Sequence, residues 1–129
     1  MTITAIDVGL VSAHEALVAF YVDALGCERL EPRVFPFATV HRLACGPVTL
    51  KVMVPTDAPV AGPAVDPFWA AAGLRYLTVW VDDLAEVVAR WTAHGGRVTM
   101  APTEIRPGVS TAMLADPDGN VVEMMQQTS

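Results

Sequence analysis

The chain has 129 residues and a formal charge of −6, with 53% hydrophobic and 17% charged residues. That balance excludes the disordered class, which carries too little apolar surface to offset the entropy of ordering; the negative charge argues against nucleic acid, whose binding needs a basic face that releases counterions. The length sets a single domain that folds without a disulfide or structural metal, burying roughly 68% of the surface exposed by the unfolded chain.

Met1-Thr2-Ile3-Thr4-Ala5 carries neither a basic leader nor an apolar stretch of signal-peptide length. From Ile3 to Val11 the β-branched and apolar residues predict a first strand, which runs into a helix start at Ser12-Ala13. Ala16, Leu17, Phe20, Tyr21 and Leu25 then recur at helical spacing from His14 onward, and Gly26 stands where a left-handed cap ends such a helix. The period changes after that. Residues 27–30, 38–43 and 48–54 read as three strands, punctuated by Pro32, Pro36 and the turn Cys45-Gly46-Pro47. Cys27 and Cys45 have no second Cys or His at ligand spacing, so they read as two free thiols, buried or half-buried in strands.

Residues 56–73 are dense in Pro and Ala, as a linker would be, with a short helical turn expected at 66–70. Arg75 to Val81 reads as a strand. The apolar stretch 70–81 is interrupted by Arg75 and ended by Asp82-Asp83, too short and too charged to span a bilayer, so a cytoplasmic protein with no membrane partner is expected. Asp82 or Asp83 caps a second helix, which runs to about His94 and is stopped by Gly95-Gly96. Strands follow at about 97–101, 109–115 and 120–127, the last two joined by the turn residues Asp116-Pro117-Asp118-Gly119-Asn120.

A β-α-β-β-β pattern thus occurs twice, in a first module at about 1–55 and a second at about 74–129. The expected fold is α+β: two tandem modules forming a curved eight-stranded sheet around a central cavity, with the helices outside.

Three segments resemble the vicinal oxygen chelate superfamily of glyoxalases, bleomycin-resistance proteins and extradiol dioxygenases. Phe20-Tyr21-Val22-Asp23-Ala24-Leu25-Gly26 is similar to the end of that family's first helix. Val81-Asp82-Asp83-Leu84, with Gly95-Gly96 beyond it, resembles the start of its second module. Asp116-Pro117-Asp118-Gly119-Asn120-Val121-Val122-Glu123 resembles the segment that closes it. The resemblance implies paired modules and a homodimer. It does not imply one reaction, since function lies in the site.

Metal-dependent members of that family place a ligand on the first and last strand of each module. Carried onto this chain, the first position falls at Ile6, or at Asp7 with a one-residue slip; the second falls at Lys51, the third at Tyr76 and the fourth at Glu123. Only Glu123 matches directly, and an ammonium at Lys51 repels a cation, so no metal or other cofactor is expected; Asp7 and Glu123 remain as weak metal candidates. Because the equivalent strands of the two modules are expected to meet at the pocket floor, Glu123 and Lys51 are expected to form an ion pair in the metal's place. His14 and His94 fall at helix ends and read as structural. Ile6, Val8, His41, Thr78, Trp80, Val121 and Met125 are the expected ligand-lining residues, with Phe68 and Trp69 of the linker as a lid.

Two functions follow. One is metal-free binding of a small organic molecule, for sequestration or resistance, in a cavity of aromatic and apolar side chains with a few polar anchors. The alternative is a cofactorless lyase or isomerase with Glu123 as general base and Tyr76 or Lys51 stabilising an oxyanion. A metal-dependent lyase or dioxygenase using Asp7, Glu123 and His41 ranks below both.

Overall fold

In the computed structural model, which describes residues 1–63 and 65–128, the chain divides into two compact units, Met1–Ala61 and Gly62–Ser129. The first unit holds β1 (Asp7–Val11), α1 (Ala16–Leu25), β2 (Glu28–Val34), β3 (Ala38–Cys45) and β4 (Val48–Pro55). The second holds a short 3-10 turn at Phe68–Ala70, then β5 (Tyr76–Trp80), α2 (Leu84–Ala93), β6 (Arg97–Arg106), β7 (Val109–Ala115) and β8 (Val121–Gln127). The tandem modules of the sequence reading are therefore present, and their eight strands are hydrogen-bonded as two four-stranded sheets, ordered β1-β4-β3-β2 and β5-β8-β7-β6. In each sheet the first strand of the module lies parallel to the last, and the remaining pairs are antiparallel.

The helices cover one face of each sheet. Leu17, Val18, Phe20, Tyr21 and Ala24 of α1 are buried, and α1 packs against β3. Gly26 ends it in the left-handed region at φ 70°, its N–H donating to the Val22 carbonyl. That conformation is strained for any residue with a Cβ, and it lets the chain reverse into β2. In the second unit Asp83 is the cap: its side chain accepts from the Glu86 N–H at 3.1 Å and satisfies one of the first helical donors. The Leu84 N–H, another such donor, binds Gln126 Oε1 at 2.8 Å and ties the helix start to β8. At the far end the fully buried Trp91 donates from Nε1 to the Ala115 carbonyl at 2.9 Å. Gly96 lies directly over that indole, leaving no room for a side chain.

Proline acts differently from its sequence reading. Pro32 is expected to punctuate short strands and the sixth strand to end near residue 101, yet β2 and β6 continue through Pro32 and Pro102, with the pairing register shifting between Leu30 and Arg33 and between Met100 and Thr103. Both are edge strands, where a missing N–H is accommodated at a bulge without breaking a ladder on two sides. Between β7 and β8 the buried Asp116 accepts from the N–H groups of Asp118 and Asn120, each at 2.9 Å, and from Asn120 Nδ2 at 2.8 Å, which closes the turn.

The cysteines require a correction. Cys27 and Cys45 are joined by a disulfide and are not free thiols. Glu28 pairs with Ala44 in the β2–β3 ladder, so the residues one step outward on each strand fall opposite one another, 4.8 Å apart at Cα. A separation of 18 residues along the chain conceals that adjacency, which only strand register creates.

Candidate functional site

Residues paired across neighbouring strands project from the same face of a sheet, so the register sorts every candidate side chain. In the first unit Val8 pairs with Leu50 and Leu10 with Val52, and the near-complete burial of Leu50 and Val52 marks the helix-covered face. The opposite, open face takes Asp7 beside Thr49, Gly9 beside Lys51 and Val11 beside Met53. Lys51 Nζ lies 3.2 Å from Asp7 Oδ2, both side chains being about two-fifths exposed (41% and 40%).

Three sequence expectations are corrected here. Asp7, one residue beyond Ile6, shares the face of Lys51; Ile6 lies ahead of β1 and is 67% exposed. Val8 projects to the helix-covered face. His41 does too, because it pairs with Val52 in the antiparallel β3–β4 ladder. Each half of the expected Lys51–Glu123 pair has a partner inside its own unit: Lys51 holds Asp7, and Glu123 accepts from the Thr78 hydroxyl at 2.7 Å. Near neighbours on the same face supply each partner.

The open face of the second unit brings together most of the remaining candidates. Three cross-strand rows run over β5, β8, β7 and β6: Trp80, Met125, Thr111 and Thr103; then Thr78, Glu123, Met113 and Met100; then Tyr76, Val121, Ala115 and Arg97. Tyr76 and Trp80 are about half exposed. The linker contributes aromatic contacts: the Phe68 ring lies 5.3 Å from that of Tyr76 and 5.1 Å from that of Trp69, and Trp69 remains largely exposed. A half-exposed carboxylate, oriented by a hydroxyl and set among indole, phenol and thioether groups, can accept hydrogen bonds from a ligand cation or N–H while the rings take its flat apolar body.

Thr111, Met113 and Met100 were missed from the sequence. The signal was the alternation of Thr111, Met113 and Ala115 along β7, which becomes useful once that strand is known to lie beside Glu123. Of the other histidines, His14 bonds through its backbone to Ser12 Oγ ahead of α1, and His94 caps the end of α2.

The divalent cation implied by the resemblance does not fit these donors. The first face offers one carboxylate, already neutralised by an ammonium at ion-pair distance. The second offers one carboxylate, a phenol and threonine hydroxyls, without the imidazole or further carboxylates that hold such ions. Among the described residues no group of three or more His, Cys, Asp and Glu stands close enough to hold a metal, and no helix is long and apolar enough to cross a membrane.

A family model described as Glyoxalase/Bleomycin resistance protein/Dioxygenase superfamily matches residues 9–124. A curated relative, a probable chloroplastic lactoylglutathione lyase of Arabidopsis thaliana, is 28% identical over 113 residues, which cover 85% of this chain; the chain spans only 31% of that relative's length. Among solved structures, a glyoxalase family protein from Bacillus cereus superposes with a TM-score of 0.85 at 12% identity, covering all of this chain and 97% of the other. A glyoxalase family protein from Enterococcus faecalis gives a TM-score of 0.71 at 25% identity, with 96% of each chain covered.

Proposed function

Because this chain belongs to the Glyoxalase/Bleomycin resistance protein/Dioxygenase superfamily, we propose that it binds a small organic molecule on the open face of its second sheet without a resident metal, as a sequestration or resistance protein. One observation carries this reading: where metal-dependent members would place a carboxylate, the chain has Lys51, and its ammonium occupies the nearby Asp7. The second face keeps its carboxylate, Glu123, among Tyr76, Thr78, Trp80 and Met125. With a chain charge of −6, such a face favours a neutral or cationic ligand over a polyanion.

Protein purified without chelator tests the reading by metal analysis and native mass spectrometry. A co-purified organic molecule at substoichiometric metal is the expected result. Stoichiometric, tightly held nickel, zinc, manganese or iron overturns it.

A second reading, a cofactorless lyase or isomerase, is favoured by the Thr78–Glu123 hydrogen bond. This bond aims the carboxylate as a general base, with Tyr76 available to donate to a developing oxyanion. The lyase named among the relatives agrees with that reaction class. Glu123→Gln separates the two: turnover of the co-purified molecule that disappears in the variant supports the enzyme, and retained binding with no product from either protein supports sequestration. The reading also includes a homodimer, tested by light scattering, and a cytoplasmic location. Rapid alkylation of cell lysates tests the latter, because an oxidising compartment keeps Cys27 and Cys45 bridged whereas a reducing one opens the bond.

A further inference from the structure

Thr111 lies on the open face of the second sheet, directly opposite Met125 in the β7–β8 ladder and two residues along the strand from Met113, which pairs with Glu123. The residue is 3% exposed, and its hydroxyl is the one buried side-chain polar atom, among the described residues, that has no hydrogen-bond partner. The neighbouring hydroxyls are engaged: Thr78 donates to Glu123, and Thr103 donates to the Ala101 carbonyl. Leaving a buried hydroxyl unpaired costs stability that a folded chain normally avoids. Such a group, placed diagonally from the site carboxylate, is what a binding face holds in reserve for its ligand.

The side chains around it can yield. Met125 lies opposite Thr111, and Met113 and Met100 lie in the next row; thioether side chains turn about three soft bonds to uncover a group beneath them. Diagonal neighbours on adjacent strands are about 7–8 Å apart along the backbone, so one small aromatic molecule can reach both polar anchors.

We infer that Thr111 Oγ1 is a ligand anchor that works with Glu123, and that the ligand is a planar aromatic molecule with a cationic or N–H donor group at one end of its ring and a second polar group at the other. This rests on the reading of the second face as the binding site and specifies what that face selects. The cationic end binds the Glu123 carboxylate, the ring lies over Met113 and Met125 within reach of Trp80, and the distal group bonds to the Thr111 hydroxyl.

Two fluorescent-titration probes test it. In p-aminobenzamidine an amidinium and an amino group lie at opposite ends of one ring; benzamidine lacks the amino group. Thr111→Val keeps the side-chain shape and removes the hydroxyl. The expected result is a loss on the order of fivefold in p-aminobenzamidine affinity, the worth of one hydrogen bond, with benzamidine binding unchanged, a raised Tm for the ligand-free variant, and wild-type behaviour in Thr111→Ser. Unchanged p-aminobenzamidine affinity in Thr111→Val overturns the role of Thr111. So does an equal loss for both probes accompanied by a lowered Tm, which marks a structural residue. Failure of both probes to bind the wild-type protein overturns the ligand class. Glu123→Gln is read separately: if it weakens neither probe, the binding face itself is misplaced and the inference falls with it.

Discussion

Cleaving the Cys27–Cys45 bond tests the clearest difference between the chain read linearly and the chain folded. The bridge closes a loop of 18 residues that contains β2, its turn and most of β3. Constraining a loop of that length in the unfolded chain contributes about 3 kcal/mol by the chain-entropy relation. For a protein of 129 residues unfolding in one transition, that corresponds to a fall of about 10–15 °C in its melting temperature. Scanning calorimetry with and without a phosphine reductant measures it, and Cys27→Ala/Cys45→Ala should melt close to the reduced protein, lowered slightly further by the volume lost at Cys27, which is 5% exposed. Amide exchange should quicken first in β2, an edge strand whose ladder is already interrupted between Leu30 and Arg33. A reduced protein melting within 3 °C of the oxidised one would refute the reasoning. So would alkylation of both cysteines in purified, air-oxidised protein denatured without reductant.

Gly96→Ala should cost about 2–4 kcal/mol, because the new methyl would lie less than van der Waals distance from the Trp91 indole, which is fully buried and anchored to the Ala115 carbonyl. Urea unfolding measures it, and the cost should shrink in a Trp91→Leu background. Asp83→Ala removes the α2 cap and should cost about 1 kcal/mol in the same assay. Lys51→Glu sets two carboxylates side by side on the open face of the first sheet; it should lower stability by less than about 1 kcal/mol at low salt, since the native pair is two-fifths exposed. Millimolar calcium should restore the melting temperature of that variant while leaving the wild type unchanged.

Much of the fold was legible because its signals are local. Gly26, Asp83 and Asp116-Pro117-Asp118-Gly119-Asn120 do their work through bonds to residues two to four positions away, so they mark element ends whatever lies beyond. Of the residues read at helical spacing, Leu17, Phe20 and Tyr21 form the buried stripe for the same reason, while Ala16 is exposed. Pro32 misled because a rule about continuous strands met an edge strand able to bulge there.

The candidate site was legible in part. Tyr76, Thr78 and Trp80 share a face because alternation within a strand is itself a sequence property, whereas Glu123 joins them through the β5–β8 register. Which of Ile6 and Asp7 joins Lys51, and whether His41 faces the helix, depend on a shift of one residue between strands, and such a shift moves every side chain to the other surface.

Sequence alone determined the order of elements, the repeat of the two modules, and the turn and cap residues that separate them, since these follow from the stereochemistry and hydrogen bonding of near neighbours. Tertiary structure alone decided that Cys27 meets Cys45, that Lys51 meets Asp7, and that the Thr111 hydroxyl lies buried without a partner. Each of these depends on strand register and on which strands lie side by side. Both are set by burial of one sheet face beneath its helix, summed over the whole module, and no short stretch of residues encodes them.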